Sequence, residues 1–308
     1  MRLVLCQFER QSMCLAASVL LFLLAAGCGQ LPDADSTFSV MTYNVKQYAL
    51  MDRDGGGESN DPKPQDERDA VVALIAGARP DVLLVQEMGD PSIFAEFQRA
   101  LRDAGLSYSF SELLQRGRFE VNLAVLSRYP IVSVQHRTND WYSVGSAKVP
   151  VARGFLDVDI QVNPQYRFRL LGAHLKSKVY SSLGQTEMRR NEARLLNKAV
   201  RNILKENPEI NLLVAGDMND DYASAPLREV SGRRGGKLDD LRPVDSVGDA
   251  WTCFHSFTDS FSRFDYLFVS EGMKSEVVEE QTRVVRDPLT YKASDHRPVI
   301  GVFRAEDR

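Results

Sequence analysis

The strand-like stretches of this sequence constrain its fold most, because several of them end at a cluster of polar residues. Continuous apolar, β-branched runs are typical of strands that are buried on both faces. Polar residues at the ends of such strands meet only if the strands lie in packed sheets that share one rim. Five runs end in or just before such residues, and a sixth cluster precedes the last run: Asn44, Glu87, His174, Asp217 with Asn219, Asp265, and Ser294-Asp295-His296.

The remaining pattern predicts an α/β protein with one domain. Apolar stripes predict helices over 67–78, 92–104 and 186–205, with Asp66 as the N-cap of the first helix. Apolar runs predict strands over 38–45, 81–87, 107–114, 121–127, 155–162, 168–175, 210–215, 264–269 and 299–303. A length of 308 residues is enough for two domains, but no linker interrupts residues 38–304, so we predict one.

The first residues of the chain are not expected to belong to this domain. Residues 13–27 form an uncharged, mostly apolar run whose length suits a signal peptide better than a membrane span. The run ends in Ala-Ala-Gly before Cys28, which resembles a bacterial lipoprotein processing site. We predict a signal peptide over 1–27, a tether over 28–37 and the domain over 38–308. A lipidated Cys28 would anchor the protein outside the cytoplasm at the cell envelope; an ordinary cleaved signal peptide and an uncleaved anchor are the alternatives.

The charge balance limits the kind of partner. The chain has 38 Lys and Arg against 42 Asp and Glu, a formal net charge of −4. This balance argues against a protein that coats nucleic acid by bulk charge. It leaves room for an enzyme that holds phosphate at a local basic site.

The polar clusters together resemble the endonuclease/exonuclease/phosphatase superfamily, which has a deoxyribonuclease-I-like fold. The matching stretches come in the family's order and span most of the chain: 42–45 (TYNV), 86–87 (QE), 173–177 (AHLKS), 216–220 (GDMND), 264–267 (FDYL) and 294–298 (SDHRP). The resemblance implies a four-layer α/β/β/α sandwich, in which two mostly antiparallel sheets pack face to face beneath outer helices. It also implies a metal-dependent phosphoric ester hydrolase.

The resemblance further implies a role for each cluster. Hard oxygen ligands suit Mg²⁺ or Mn²⁺, and the expected ligands are Glu87, Asn44 and Asp295. Asp217 is expected to activate the attacking water, with Asn219 holding that water or a phosphate oxygen. His296, paired with Asp265, and His174 are expected to bind the phosphate.

Lys46 departs from the family pattern. Many nucleases of this family have an acid two residues after the first Asn, where this chain has Lys46. The departure puts in doubt a second metal ligand from that strand. Lys176 and Lys178, beside His174, add positive charge that the net value conceals.

Three functions follow from these residues. The first is a phosphodiesterase or phosphatase that acts on a small or lipid-linked phosphate as an envelope-bound monomer. The second is a tethered DNA or RNA endonuclease, which needs a basic or aromatic surface beside the rim. The third is an inactive binding module, which the full set of catalytic residue types disfavours. The residues available to bind a nucleic acid strand, as the second function requires, are Arg116, Arg118, Arg128, Lys148, Arg153 and the pair Trp141-Tyr142.

Overall fold

A computed structural model describes residues 37–116, 121–233 and 235–307. The predicted signal peptide, the lipidated Cys28, most of the tether and Arg118 lie outside the described residues. Within these residues no helix has the length and apolar character needed to cross a membrane.

Six helices and sixteen strands are described. The helices are α1 (Gln65–Ala78), α2 (Pro91–Asp103), α3 (Gln185–Glu206), α4 (Ala225–Ser231), α5 (Glu271–Lys274) and α6 (Thr290–Ala293). The strands are β1 (Thr37–Tyr48), β2 (Val82–Met88), β3 (Phe110–Leu114), β4 (Asn122–Ser127), β5 (Ile131–Val134), β6 (Trp141–Val144), β7 (Ala147–Pro150), β8 (Phe155–Gln161), β9 (Arg167–His174), β10 (Leu212–Asp217), β11 (Asp239–Asp240), β12 (Cys253–His255), β13 (Ser260–Ser262), β14 (Asp265–Val269), β15 (Arg283–Val284) and β16 (Val299–Arg304).

The long strands form two six-stranded sheets. Their orders are β15-β16-β1-β2-β4-β3 in the first sheet and β11-β14-β10-β9-β8-β5 in the second. Strands β1 and β2 run parallel, as do β9 and β10, and the other neighbours in these sheets are antiparallel. Two hairpins, β6-β7 and β12-β13, complete the strands.

Three apolar layers separate four layers of structure. Between the sheets, Val40 and Leu84 share one buried cluster with Leu213. Outside the first sheet, side chains of β1 and β2 form a second cluster with Ile75 of α1 and Phe97 of α2. A third cluster joins β9 and β10 to α3. The predicted four-layer α/β sandwich with two mostly antiparallel sheets is therefore confirmed.

Most predicted elements occur within a few residues of their expected bounds, with two corrections. The prediction that Asp66 caps α1 is wrong, because the helix begins at Gln65 and its N-cap is Pro64. Asp66 lies in the first turn and pairs with Lys292 instead. The strand predicted over 107–114 begins only at Phe110. The three residues before that point are Ser-Tyr-Ser, and pairing with β4 begins only at Phe110, opposite Ser127.

The strand directions explain why the polar clusters meet. The carboxyl-terminal parts of parallel strands lie at one edge, so Asn44, near the carboxyl end of β1, lies beside Gln86, the residue before Glu87. In the second sheet Asp217 ends β10, opposite His174 on one side and Asp265 on the other. Strand β14 is antiparallel to β10, so Asp265 begins its strand at the same rim.

Candidate active site

Asp217 lies at the centre of the rim, where polar groups from both sheets converge. Its carboxylate is 1% exposed. Oδ2 accepts hydrogen bonds from Asn44 Nδ2 at 3.0 Å and Asn219 Nδ2 at 3.2 Å, and Oδ1 accepts one from the backbone N–H of Asn219 at 2.8 Å. The Nε2 atoms of His174 and His296 lie 3.4 Å and 3.9 Å from the same Oδ2. The predicted site residues of both sheets therefore converge on the carboxylate of Asp217.

The environment of Asp217 makes it a stronger base than an exposed carboxylate. Burial raises its pKa to about 7, with His296 lowering it and Asp265 raising it further. A base with a pKa near the working pH is deprotonated in part and still accepts a proton readily.

His296 and Asp265 form a buried ion pair beside Asp217. His296 Nδ1 lies 2.8 Å from Asp265 Oδ2. Burial lowers the pKa of His296, but the carboxylates of Asp265 and Asp217 outweigh burial and hold the pKa well above its ordinary value. His296 is therefore an imidazolium at neutral pH, with its Nε2–H on the side of Asp217.

His174 carries no charge in the same cluster. Burial lowers its pKa well below the ordinary value, and the positive charges of Arg153, His296 and Lys176 lower it further. Its Nδ1 atom is buried without a hydrogen-bond partner among the described residues. With its proton on Nε2, a neutral His174 has this N–H 3.4 Å from Asp217 Oδ2 and 3.9 Å from Glu87 Oε1. The two histidines at the rim thus differ in charge: His174 is neutral and His296 is positive.

Glu87 is held at the end of β2 by an irregular backbone. Its side chain is 20% exposed. Oε1 accepts a hydrogen bond from Asn44 Nδ2 at 3.2 Å, and Oε2 accepts one from the backbone N–H of Gln47 at 2.8 Å. The β1–β2 register shifts between Asn44 and Tyr48, and Lys46, Gln47 and Glu87 have φ values of 48°, 50° and 66°. These bulges turn the Glu87 carboxylate toward Asn44.

Asp295 is placed differently from the other predicted metal ligands. Its half-exposed carboxylate lies 4.0 Å from the ammonium group of Lys46. Its Oδ1 also accepts a long hydrogen bond of 3.4 Å from the Ser294 hydroxyl. The neighbouring Ser294 ties the loop to the site, since its hydroxyl donates to the Asn44 carbonyl at 2.8 Å and accepts from the His296 N–H at 3.1 Å.

Thr252 contributes to the site without a recognisable signal in the sequence. Its buried hydroxyl accepts hydrogen bonds from the backbone N–H groups of Phe264 and Asp265 at 2.9 Å and 3.0 Å. Its carbonyl accepts from the Arg297 N–H, so it connects the segments that carry Asp265 and His296. A single threonine in an irregular segment gives no periodic pattern, and only the fold reveals its contacts.

The donor set fits a hard divalent cation. Glu87 offers a partly exposed carboxylate next to the buried Asp217, and oxygen donors of this kind suit Mg²⁺. Asn44 directs its Nδ2 toward both carboxylates, while its Oδ1 accepts from the Lys46 N–H. Asp217, Asp265 and His296 also have side-chain atoms within 4.8 Å of one another, but the imidazolium of His296 has no free lone pair for a cation, so this group is not a second metal site.

Solved structures share this architecture at low sequence identity. The chain resembles a truncated TDP2 from Caenorhabditis elegans with a TM-score of 0.60 at 18% identity, covering 87% of this chain and 98% of that one. Sphingomyelinase C from Streptomyces griseocarneus gives a TM-score of 0.57 at 20% identity, covering 87% and 99%. The human Nocturnin catalytic domain with bound sulfate gives 0.61 at 17%, covering 87% and 94%. At these identities the likeness concerns the fold.

Sequence comparison provides the assignment to a family. No curated protein matches the sequence. Residues 41–296 match the endonuclease/exonuclease/phosphatase family, and this range contains every residue of the cluster around Asp217. The chain therefore belongs to the endonuclease/exonuclease/phosphatase family, whose members are hydrolases that act on phosphoesters.

Proposed function

We propose that this protein is a metal-dependent phosphodiesterase or phosphatase of the bacterial cell envelope. It acts as a monomer and is anchored through a lipidated Cys28. The observation that carries the enzymatic part is the buried Asp217, whose carboxylate is in contact with two amides and two histidines. A structural aspartate does not need this surplus of donors.

In this proposal Asp217 is the general base. Its raised pKa lets it take a proton from water at neutral pH. A general base held in position typically accelerates a reaction by about 10²–10⁴-fold. Asn44 and Asn219 fix its carboxylate in one orientation. Oδ2 is crowded by these donors, whereas Oδ1 accepts only the Asn219 N–H among the described residues and keeps a lone pair for the attacking water.

The two histidines bind the phosphate in this proposal. His296, kept charged by Asp265, offers an N–H and a positive charge to the phosphoryl oxygens. His174 offers a second N–H from a neutral ring. Arg153 and Lys176 lie close enough to lower the pKa of His174, and they add positive potential at this edge of the second sheet.

Glu87 and Asn44 would hold Mg²⁺ or Mn²⁺, with Asp295 as a further candidate ligand. The cation would polarise a phosphoryl oxygen and stabilise charge at the leaving oxygen. Asp295 would have to break its contact with Lys46 in order to bind the cation, which makes Asp295 the weakest of the three candidate ligands.

A small or lipid-linked phosphate fits the described surface better than a nucleic acid strand. Two of the basic residues available for a nuclease are engaged elsewhere: Arg128 pairs with Asp81 at 3.0 Å, and Arg116 donates a hydrogen bond to the Val151 carbonyl. Arg153 borders the site. The net charge of −4 also disfavours tight binding of a long polyanion.

A substrate panel tests the proposal. The full chain with Mg²⁺ is assayed on bis-p-nitrophenyl phosphate, sphingomyelin, inositol phosphates, plasmid DNA and RNA, with Asp217→Asn as the matched control. We expect hydrolysis of at least one small or lipid phosphate, and its loss in EDTA and in the control. No hydrolysis of any substrate by folded protein would refute the enzyme, and EDTA-resistant activity would refute the metal. Preference for plasmid DNA or RNA would favour the nuclease.

A further inference from the structure

The bulge in β1 places two adjacent side-chain-bearing residues in an unfavourable backbone conformation. Lys46 and Gln47 have φ values of 48° and 50°, in the left-handed region that residues with a Cβ normally avoid. Neither is glycine, so the surrounding structure has to hold this conformation.

The same two residues turn their backbone N–H groups toward the site. The N–H of Gln47 donates to Glu87 Oε2 at 2.8 Å, and that of Lys46 donates to Asn44 Oδ1 at 3.0 Å. The bulge therefore fixes the two side chains that the proposed function assigns to the metal.

Their carbonyl groups are both held by cations from the loop that follows β1. Lys63 Nζ donates to the Lys46 carbonyl at 3.0 Å, and Arg53 Nη2 donates to the Gln47 carbonyl at 2.8 Å. Lys63 is 1% exposed, whereas Arg53 is exposed. Each of the two strained residues thus has its carbonyl bound by a different cationic side chain, while its N–H group binds a side chain of the site.

The loop is built to present these cations. Met51 and Asp61 exchange two backbone hydrogen bonds of 2.9 Å, which close the loop at its base. Asp61 Oδ2 accepts from the Arg53 N–H at 3.0 Å, and Glu67 lies 3.1 Å from Lys63 Nζ. A buried lysine is costly unless its ammonium is hydrogen-bonded, and the Lys46 carbonyl supplies such a bond.

We propose that Lys63, assisted by Arg53, is a positioning residue of the site: it locks the Lys46–Gln47 bulge and thereby orients Glu87 and Asn44. The inference rests on the proposed function for its metal, but the locking of the bulge is independent of any metal. Lys63 contacts neither substrate nor reacting atoms in this scheme and acts through the backbone.

Two measurements on the full chain test the proposal. Amide hydrogen exchange of the segment 44–48 is compared in wild type, Lys63→Met and Arg53→Met, and Mn²⁺ affinity is measured by titration with Mn²⁺ alone. We expect exchange at Lys46 and Gln47 to accelerate at least about tenfold in Lys63→Met and less in Arg53→Met. We expect Mn²⁺ affinity to fall by about 10–100-fold in Lys63→Met, as for other residues that orient metal ligands.

Lys274→Met is the matched control, because Lys274 forms an exposed ion pair with Asp239 at 3.1 Å. It should leave both measurements unchanged. A lower melting temperature of Lys63→Met, with wild-type exchange at 46–47, would make Lys63 a purely structural residue and overturn the proposal. If Lys63→Met fails to fold, unchanged exchange in the exposed Arg53→Met overturns it as well. A wild type that binds no Mn²⁺ would refute the metal in the proposed function, while the exchange data still decide the locking of the bulge.

Discussion

Glu87 and Asp217 are the two carboxylates at the centre of the site, and the two sheets hold them in different ways. Glu87 is one-fifth exposed and depends on three residues with positive φ and on a loop that closes behind them. Asp217 is fully buried at the end of a strand that pairs without a register shift, with His174 and Asp265 beside it, although Gly216 before it has a φ of 136°.

In the proposed function, this difference separates the general base from the metal ligand. Burial raises the pKa of Asp217 to about 7, as a general base requires. The irregular rim of the first sheet leaves the Glu87 carboxylate partly open, as an exchangeable cation requires. In the proposed function, the base lies at the buried end of a continuously paired strand, and the metal ligand lies where the bulges let its carboxylate reach the surface.

The largest effect is expected from Asp217→Asn. The amide keeps the size of the side chain but cannot accept the proton of water, so kcat should fall by about 10³-fold. Unfolding curves should show a folded protein, because the change removes a buried charge. A variant with near-wild-type kcat would contradict the role of Asp217 as the base.

His296→Gln should have the next largest effect. Loss of the imidazolium removes a charged donor to the phosphate, which typically costs about 10²–10³-fold in kcat. His136→Asn is the matched control, since His136 accepts a hydrogen bond from the Asp157 N–H and is not part of the cluster. Equal effects of the two changes on kcat would argue against a special role for His296.

Glu87→Gln should weaken metal binding more than it affects the base. We expect the Mg²⁺ concentration for half-maximal rate to rise by about tenfold or more, with part of the rate restored at high Mg²⁺. Asp217→Asn should not be rescued in this way. The assignment of the metal to the first sheet and of the base to the second would be wrong if excess Mg²⁺ restored the rate of neither Glu87→Gln nor Asp217→Asn, or if it restored both rates equally.

The pH profile of the wild type should report the base. With a pKa of about 7, the deprotonated fraction of Asp217 rises with pH, so kcat/KM should increase about tenfold between pH 6 and pH 8. Loss of the His296 proton should lower the rate at alkaline pH. Asp265→Asn should shift this fall to lower pH, because it removes the carboxylate that raises the pKa of His296.

Glu276→Gln should have the smallest effect, and the effect should be on stability rather than on activity. It tests a buried carboxyl group that is not part of the candidate site. Burial raises the pKa of Glu276 to about 8, while its side chain contacts the Tyr166 hydroxyl. The folded state therefore keeps a proton that the unfolded state has lost, and stability falls as the pH rises from about 4.5 to about 8.

The neutral Gln should remove this fall and raise the melting temperature at pH 8 by about 3 °C. The pH profile of kcat/KM should stay that of the wild type. A shifted activity profile would mean that buried carboxylates far from the rim influence the base, and it would weaken the assignment of the pKa to Asp217.

Much of the fold was predictable because the long strands contain mostly apolar or alternating runs and each long helix has one apolar face. Strands β1, β2, β9 and β10 and helix α3 therefore occur close to their predicted bounds. The short strands β5–β7, β11–β13 and β15 were not predicted, since a few residues with mixed polarity form a strand only when a partner strand is present. The N-cap of α1 could not be read from Asp66, because packing rather than a side-chain cap decides where that helix begins.

The sequence by itself determined the family, the layer order and the residue types of the site, because these depend on local polarity and on the order of short motifs. Only the tertiary structure decided that His174 is neutral and His296 charged, since burial and neighbouring charges decide it and both are long-range. The same holds for Lys63, which reads as one residue of a polar loop and is in fact buried behind Lys46. Its partner is a backbone carbonyl, which every residue has, so no sequence pattern can reveal that contact.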